Sequence, residues 1–390
     1  IVGRALGRDA LAAVGSAFTL MTFLTSVFLG LAMGAGALFS IYLGRKDMAS
    51  LHRAAALALC LIGGVTAALT ALVYALLDPI LRFLQVPDPL YGDMAGYLRI
   101  IFVGLAATFL YNFFACLLRS AGNSSAPLWF LGGAALLNVG LDLWFIAGVG
   151  MGVRGAAVAT VIAQGMSVVL CVLYVLARVR ILIPEKKHFA VGSHLYWELF
   201  SQSISMGLMS SIVSAGSVVL QYGINGLGTL VIAGHTAARK LFAFTDMPLS
   251  AMASACSTYV SQNYGANHPD RVRRGMRDIY LYSVVVAVAA VLLMAAGAEW
   301  MVKLVSGSSE PVVLENGARY LMWNAPFYAV LGVLLCTRYA LQSLGQKVLP
   351  LFSSVIELVG KVVFVLVFIP RYAYNLSLIH ISEPTRLGMI

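Results

Sequence analysis

Asp142 stands in LNVGLDLWF, within an apolar run long enough to cross a bilayer. A charged side chain there is costly, so it marks a candidate functional position. Asn138 precedes it by one helical turn on the same face, giving an NxxxD pair. Thr160 lies in the following apolar run, which returns in the opposite direction. At 1.5 Å per residue, Asp142 lies about 8 Å below the outer end of its helix and Thr160 about 10 Å below the start of the next. Carboxylate, amide and hydroxyl can therefore meet at one depth. Sodium takes several such oxygens, whereas a proton needs only the carboxylate. The residues alone do not choose between the two, and a competing reading makes Asp142 a structural cap or bridge between helices.

The other ionisable residues within apolar runs are few. Glu357 and Lys361 are four apart with Glu toward the N-terminus, the better orientation for an intrahelical pair. His235 and Arg239 share a face of one long run, with Asp246 further along. That run, Val231 to Gln262, would be about 48 Å long as a helix, more than a bilayer needs. Its charges are therefore read as solvated. Gln202, Asn225 and Asn324 are weaker polar candidates. There is no GxxxxGK[ST] loop, HExxH or GxSxG elbow, so neither a nucleotide-driven pump nor an enzyme is expected, and no cofactor is implied. Cys60, Cys116, Cys171, Cys256 and Cys336 lie far apart in apolar runs and read as small apolar fillers.

The elements that must position these residues are membrane helices. Hydrophobic residues make up 60% of the 390 positions and charged ones 11%, with a mean hydropathy of +0.89, against roughly 25% charged in a soluble domain. Ten spans are predicted: 11–43, 54–77, 96–118, 127–147, 153–177, 199–221, 231–262, 279–296, 320–341 and 350–369. The formal charge of +10 is spread over short loops rather than gathered for nucleic acid. Loops bearing Arg45, Lys46 and Arg53, then Arg119, Arg178, Arg180, Lys186 and Lys187, then Arg271, Arg273, Arg274 and Arg277, and Lys347 are expected to face the cytoplasm.

The two halves are also related to each other. At a shift of 221, Ala12, Ser40, Gly44 and Arg53 fall on Ala233, Ser261, Gly265 and Arg274, and Leu6 and Gly7 on Leu227 and Gly228. At a shift of 223, Tyr97, Leu98, Leu118, Ser120, Gly122 and Pro127 fall on Tyr320, Leu321, Leu341, Ser343, Gly345 and Pro350. The expected architecture is an all-α integral membrane protein of two parallel-repeat six-helix lobes, with ten of twelve helices in this chain. Residues 1–180 form an N-terminal lobe lacking its first helix, 181–197 a cytoplasmic linker and 198–375 a C-terminal lobe lacking its last helix. Residues 376–390, LSLIHISEPTRLGMI, are read as a non-native tail. The counterpart of Asp142 in the second copy is Val362 or Val365, so the fold does not demand an acid there. That favours a functional carboxylate.

LGRDALAAVG at Leu6 to Gly15, LLRSAGNSSAP at Leu117 to Pro127, GVRGAAVAT at Gly152 to Thr160 and SQNYGANHPDRVRRG at Ser261 to Gly275 resemble loops and helix ends of the multidrug and toxic compound extrusion (MATE) family. The resemblance covers nearly the whole chain. It implies two lobes around a cleft that opens alternately to each side of the plasma (inner) membrane, with export of amphiphilic, often cationic small molecules in exchange for H+ or Na+. It implies that Asp142, Asn138 and Thr160 form the first-lobe cation site, the metal there being at most Na+. Glu357, Lys361, His235 and Arg239 are candidates to line the cleft. Gly30, Gly34 and Gly36 would allow close helix packing. The expected partners are small-molecule substrates and lipid, not nucleic acid, and the expected state is a monomer. The rival reading is a lipid-linked oligosaccharide flippase of the same superfamily, which would carry several cationic cavity side chains. A channel or scaffold is the more distant one.

Overall fold

The computed structural model describes residues 7–83, 88–185, 188, 193–225 and 229–368. Leu6, Lys186, Lys187, Leu227, Gly228 and the stretch from Leu376 to Ile390 lie outside the described residues, as does the side chain of Asn225. The helices are α1 Gly7–Gly44, α2 Met48–Ala75, α3 Leu77–Phe83, α4 Asp88–Val103, α5 Leu105–Ser120, α6 Ser125–Asp142, α7 Gly152–Arg178, α8 Ser193–Asn225, α9 Thr229–Gly265, α10 Pro269–Ser306, α11 Pro311–Asn324, α12 Tyr328–Ser343 and α13 Val348–Val363. Short π-helical turns, Leu143–Gly148 and Phe364–Phe368, extend α6 and α13.

Over the described residues all ten predicted spans fall on helices, with two corrections. The span at 96–118 is two helices, α4 and α5, bent by 40° at Gly104. The span at 320–341 is likewise interrupted, by a 3-10 turn at Ala325–Phe327. Pro326 there has no N–H to donate to the helical ladder. Eight helical stretches of the described residues are long and apolar enough to cross a membrane, and the bent pair makes nine. Helix α9 is 37 residues long and falls short on apolarity because it carries His235, Arg239, Lys240 and Asp246.

The chain divides into two compact units, Ile1–Gly207 and Leu208–Ile390, the division falling within α8. In the first unit, Leu31, Phe39, Leu51, Ile62, Phe113 and Leu117 form one core and Phe28, Leu81, Met94, Leu98 and Phe102 another. In the second, Ile224, Leu249, Met294, Val302, Leu321 and Tyr328 pack together. Helix α13 has its surfaces arranged as a bilayer demands. Leu349, Phe352, Val355, Val359 and Val363 are exposed, while Ser354 and Glu357 are buried. Apolar side chains face outward because lipid is as apolar as they are, and polar groups turn inward to find partners.

The repeat is visible in the backbone bond by bond. After α1, the N–H groups of Arg45, Lys46 and Asp47 donate to the carbonyls of Ile41, Leu43 and Tyr42. After α9, Ala266, Asn267 and His268 donate to Gln262, Tyr264 and Asn263, each pair displaced by 221. Lys46 and Asn267 both sit at φ 58°, the left-handed region that a side chain rarely adopts. At the ends of α5 and α12, Gly122 and Gly345 take φ 81° and 82°. They donate to Arg119 and Gln342, and the next residues, Asn123 and Gln346, donate to Leu118 and Leu341.

Close helix approach is concentrated at a few glycines. A Cβ on Gly34 would lie 2.6 Å from Ser203 Cα in the first-unit part of α8, so α1 meets that helix backbone to backbone. Gly36 faces the Cys116 side chain instead, a Cβ there lying 3.1 Å from Cys116 Cβ.

Candidate functional site

In the first lobe, Asp142 is the last residue of α6 before the helix widens into the π turn Leu143–Gly148. Such π segments in α-helices recur at functional sites. Val149 N–H reaches Trp144 O at 2.9 Å, a bond across five residues, and Met151 N–H reaches Phe145 O at 2.9 Å. Gly150 and Gly152, at φ 73° and 64°, then turn the chain into α7.

On α7, Thr160 Oγ1 donates to Ala156 O at 2.9 Å and accepts from Asn138 Nδ2 at 3.4 Å. The structure thus brings Asn138 and Thr160 together as the sequence suggests. Asp142 lies one turn beyond Asn138, half-buried. Its Oδ1 is buried and has no hydrogen-bond partner among the described residues. A buried carboxylate oxygen without a donor is expensive, and a cation or a proton would supply what the protein does not. The residues present therefore fit a small cation: one carboxylate and two neutral oxygens. Tyr97 on α4 lies within electrostatic reach of this carboxylate. Deeper in the lobe, Thr108 Oγ1 donates to Gln164 Oε1 at 2.9 Å and Asn112 Nδ2 to Thr108 O at 2.8 Å. These neutral polar residues carry no sequence signal that separates them from ordinary packing.

The second lobe holds a different arrangement. Glu357 on α13 receives Lys361 Nζ on Oε1 at 2.7 Å, the expected intrahelical pair, and Arg338 Nη1 on Oε2 at 3.1 Å. Arg338, on α12, also donates through Nε and Nη2 to Ser353 Oγ at 3.0 and 2.7 Å. The three charged side chains are 7%, 6% and 11% exposed for Arg338, Glu357 and Lys361. Sequence reasoning missed Arg338, whose partner lies 19 positions away on another helix. Its one signal is a guanidinium in an otherwise apolar span.

The solvated reading of α9 is corrected at His235. That residue is fully buried, its ring edge-on to Tyr320 with centroids 5.1 Å apart and planes at 90°, because α9 packs against α10, α11 and α12 rather than standing in water. Arg239 and Asp246 are half-buried. Asp246 Oδ2 accepts from Ser250 Oγ at 3.0 Å, while its Oδ1 has no partner among the described residues. Asn324 is buried and donates to Tyr320 O at 2.6 Å, and Gln202 is buried in α8.

Repeated long apolar helices, two copies of one turn pattern and ionisable groups sunk among them define a polytopic helical membrane protein of the transporter kind. The MatE family model matches residues 1–144 and 206–367. The chain belongs to this family, whose members are membrane transporters and not enzymes. It is 28% identical to the probable multidrug resistance protein YpnP of Bacillus subtilis over 85% of this chain and 74% of that one. It is 25% identical to the FAD transporter of Shewanella oneidensis over 93% and 80%. In fold it is similar to an outward-facing multidrug resistance MATE family transporter of the MOP superfamily, at a TM-score of 0.90 and 19% identity, covering 97% of this chain and 85% of that one.

Proposed function

We propose that the protein is a secondary antiporter of the plasma membrane, exporting amphiphilic small molecules, often cationic, in exchange for H+ or Na+ bound at Asp142. The observation that carries this reading is the buried Oδ1 of Asp142 at the α-to-π junction, without a partner among the described residues and one helical turn beyond the Asn138 that contacts Thr160. Asp142 would carry the negative charge, and Asn138 and Thr160 would complete the shell of a sodium ion through neutral oxygens. A bound ion that favours one arrangement of the lobe over another shifts the populations of the two by its difference in affinity, which is how a gradient can drive export. Relatives named as multidrug resistance proteins and as an FAD transporter support organic molecules as cargo.

The test is efflux of a dye cation from proteoliposomes under an imposed proton gradient and, separately, a sodium gradient. Asp142→Asn keeps the side-chain size and removes the charge. It should lower gradient-driven efflux roughly tenfold to a hundredfold, the range of ordinary coupling energies, while insertion persists. Asn138→Ala and Thr160→Val should weaken sodium coupling more than proton coupling, because only sodium uses their oxygens. Normal rate and ion dependence in Asp142→Asn would sink the assignment.

A further inference from the structure

The Arg338–Glu357–Lys361 cluster contains two cations and one anion, a net charge of +1 that is almost wholly removed from solvent. A carboxylate balances one cation inside a membrane protein. No acid among the described residues pairs with the second, and an unbalanced buried charge is strongly unfavourable. Hydrogen-bond accounting locates the deficit. Arg338 has five N–H donors, of which Nε, Nη1 and Nη2 each commit one. Lys361 has three and commits one, to Glu357. Among the described residues two donors therefore remain on each side chain, while each oxygen of Glu357 accepts one of these bonds.

Three helices converge here. Helix α12 supplies Arg338, α13 supplies Glu357 and Lys361, and α8 supplies Gly216, which makes the room. A Cβ on Gly216 would lie 2.9 Å from Lys361 Cδ and 3.5 Å from Nζ. The ammonium is thus held beside a bare stretch of α8 backbone.

We propose that this cluster is a binding site for an oxyanion, a phosphate or carboxylate group of the transported molecule, received by the spare donors of Lys361 and Arg338. Glu357 is a positioning residue that holds both cations in place and keeps the empty site at one net charge rather than two. The inference rests on the chain being a transporter and not on the ion assigned to Asp142. Anionic or zwitterionic amphiphiles then belong among its substrates.

Equilibrium binding without any gradient tests this apart from ion coupling. The full chain in phosphatidylcholine nanodiscs is titrated against 5-carboxyfluorescein by fluorescence anisotropy. Lys361→Gln leaves a neutral Arg338–Glu357 pair, so thermal unfolding should not come earlier, yet probe affinity should fall about tenfold or more. A merely structural lysine would do the reverse. Gly216→Ala keeps every charge but crowds Lys361 and should also weaken the probe. A second arm separates a soluble anion from a lipid headgroup by adding phosphatidylglycerol to the nanodiscs. Thermal stabilisation by that lipid, lost in Lys361→Gln, supports the site with a lipid as its source. Probe binding in phosphatidylcholine, lost in Lys361→Gln, supports it with a soluble one. If neither ligand binds, or both bind Lys361→Gln as they bind the parent chain, the proposal is overturned.

Discussion

Asp142 and Val363 end matching helices, α6 and α13, each one residue before a π-helical turn, and the turns begin 221 positions apart at Leu143 and Phe364. Around this shared frame the two lobes have placed opposite chemistry. The first carries Asp142 one turn beyond an Asn138 that contacts Thr160, with one carboxylate oxygen that has no partner among the described residues. The second has no acid at the matching position and instead holds Glu357 and Lys361 within the two turns before it, both Glu357 oxygens bonded and Arg338 of α12 making cations the excess. The contrast teaches that the fold itself asks for no charge at either place, since each lobe omits what the other has. What differs is the sign of what is left over: a carboxylate oxygen in the first lobe, the donors of two cations in the second.

The sharpest way to break that contrast is by stability. Removing the one acid of the buried cluster leaves Arg338 and Lys361 stranded as like charges, so Glu357→Ala should destabilise by about 3–5 kcal/mol. Asp142→Asn strands nothing and should change stability little. Thermal unfolding of both variants in detergent decides it, and equal losses would mean that Asp142 too is held in a bonded network.

A smaller difference is expected where helices meet. Gly34 touches the backbone of Ser203, whereas its counterpart 221 residues on is Ala255, which is exposed. Gly34→Ala should therefore cost about 1–3 kcal/mol through overpacking. Ala255→Gly should show only the helix-propensity loss of about 1 kcal/mol. If Gly34→Ala unfolds at the parent temperature, α1 and α8 are not in backbone contact.

The smallest effect concerns helix starts. Asp47 caps α2, its Oδ1 accepting from Ser50 N–H at 3.0 Å, while its counterpart His268 at the start of α10 makes no side-chain cap. Those bonds from Ser50 hold the Asp47 carboxyl below its ordinary range. A depressed folded-state value stabilises above the unfolded value of about 3.9 and the benefit fades as pH falls through the folded one. Asp47→Ala should lower stability by about 1 kcal/mol near neutrality, with the deficit shrinking below about pH 4. His268→Asp should add part of that amount to α10. A pH-independent deficit would show that the carboxylate is not the cap.

Spans and turns were legible in the sequence because both are written in local chemistry, apolar runs for one and small or turn-forming residues for the other. Asn138 facing Thr160 was legible too, since helical rise fixes depth on neighbouring antiparallel helices. The bend at Gly104 was not, because one glycine in an apolar run reads equally as packing. Arg338 joining Glu357 depends on which faces of α12 and α13 meet, and a sequence pattern gives each helix only its own face. The burial of His235 was hidden for the same reason. Its helix carries His235, Arg239, Lys240 and Asp246, and only its neighbours decide whether such side chains meet water.

The paired turns after α1 and α9 carry one more consequence. They are tied by main-chain N–H and carbonyl groups, so Lys46 can stand where Asn267 stands and Asp47 where His268 stands without altering the course of the chain. An ancestral copy anchored this way can exchange nearly every side chain between its fixed points and still fold along the same path. The two halves are then free to differ in side-chain chemistry without ever needing a second architecture.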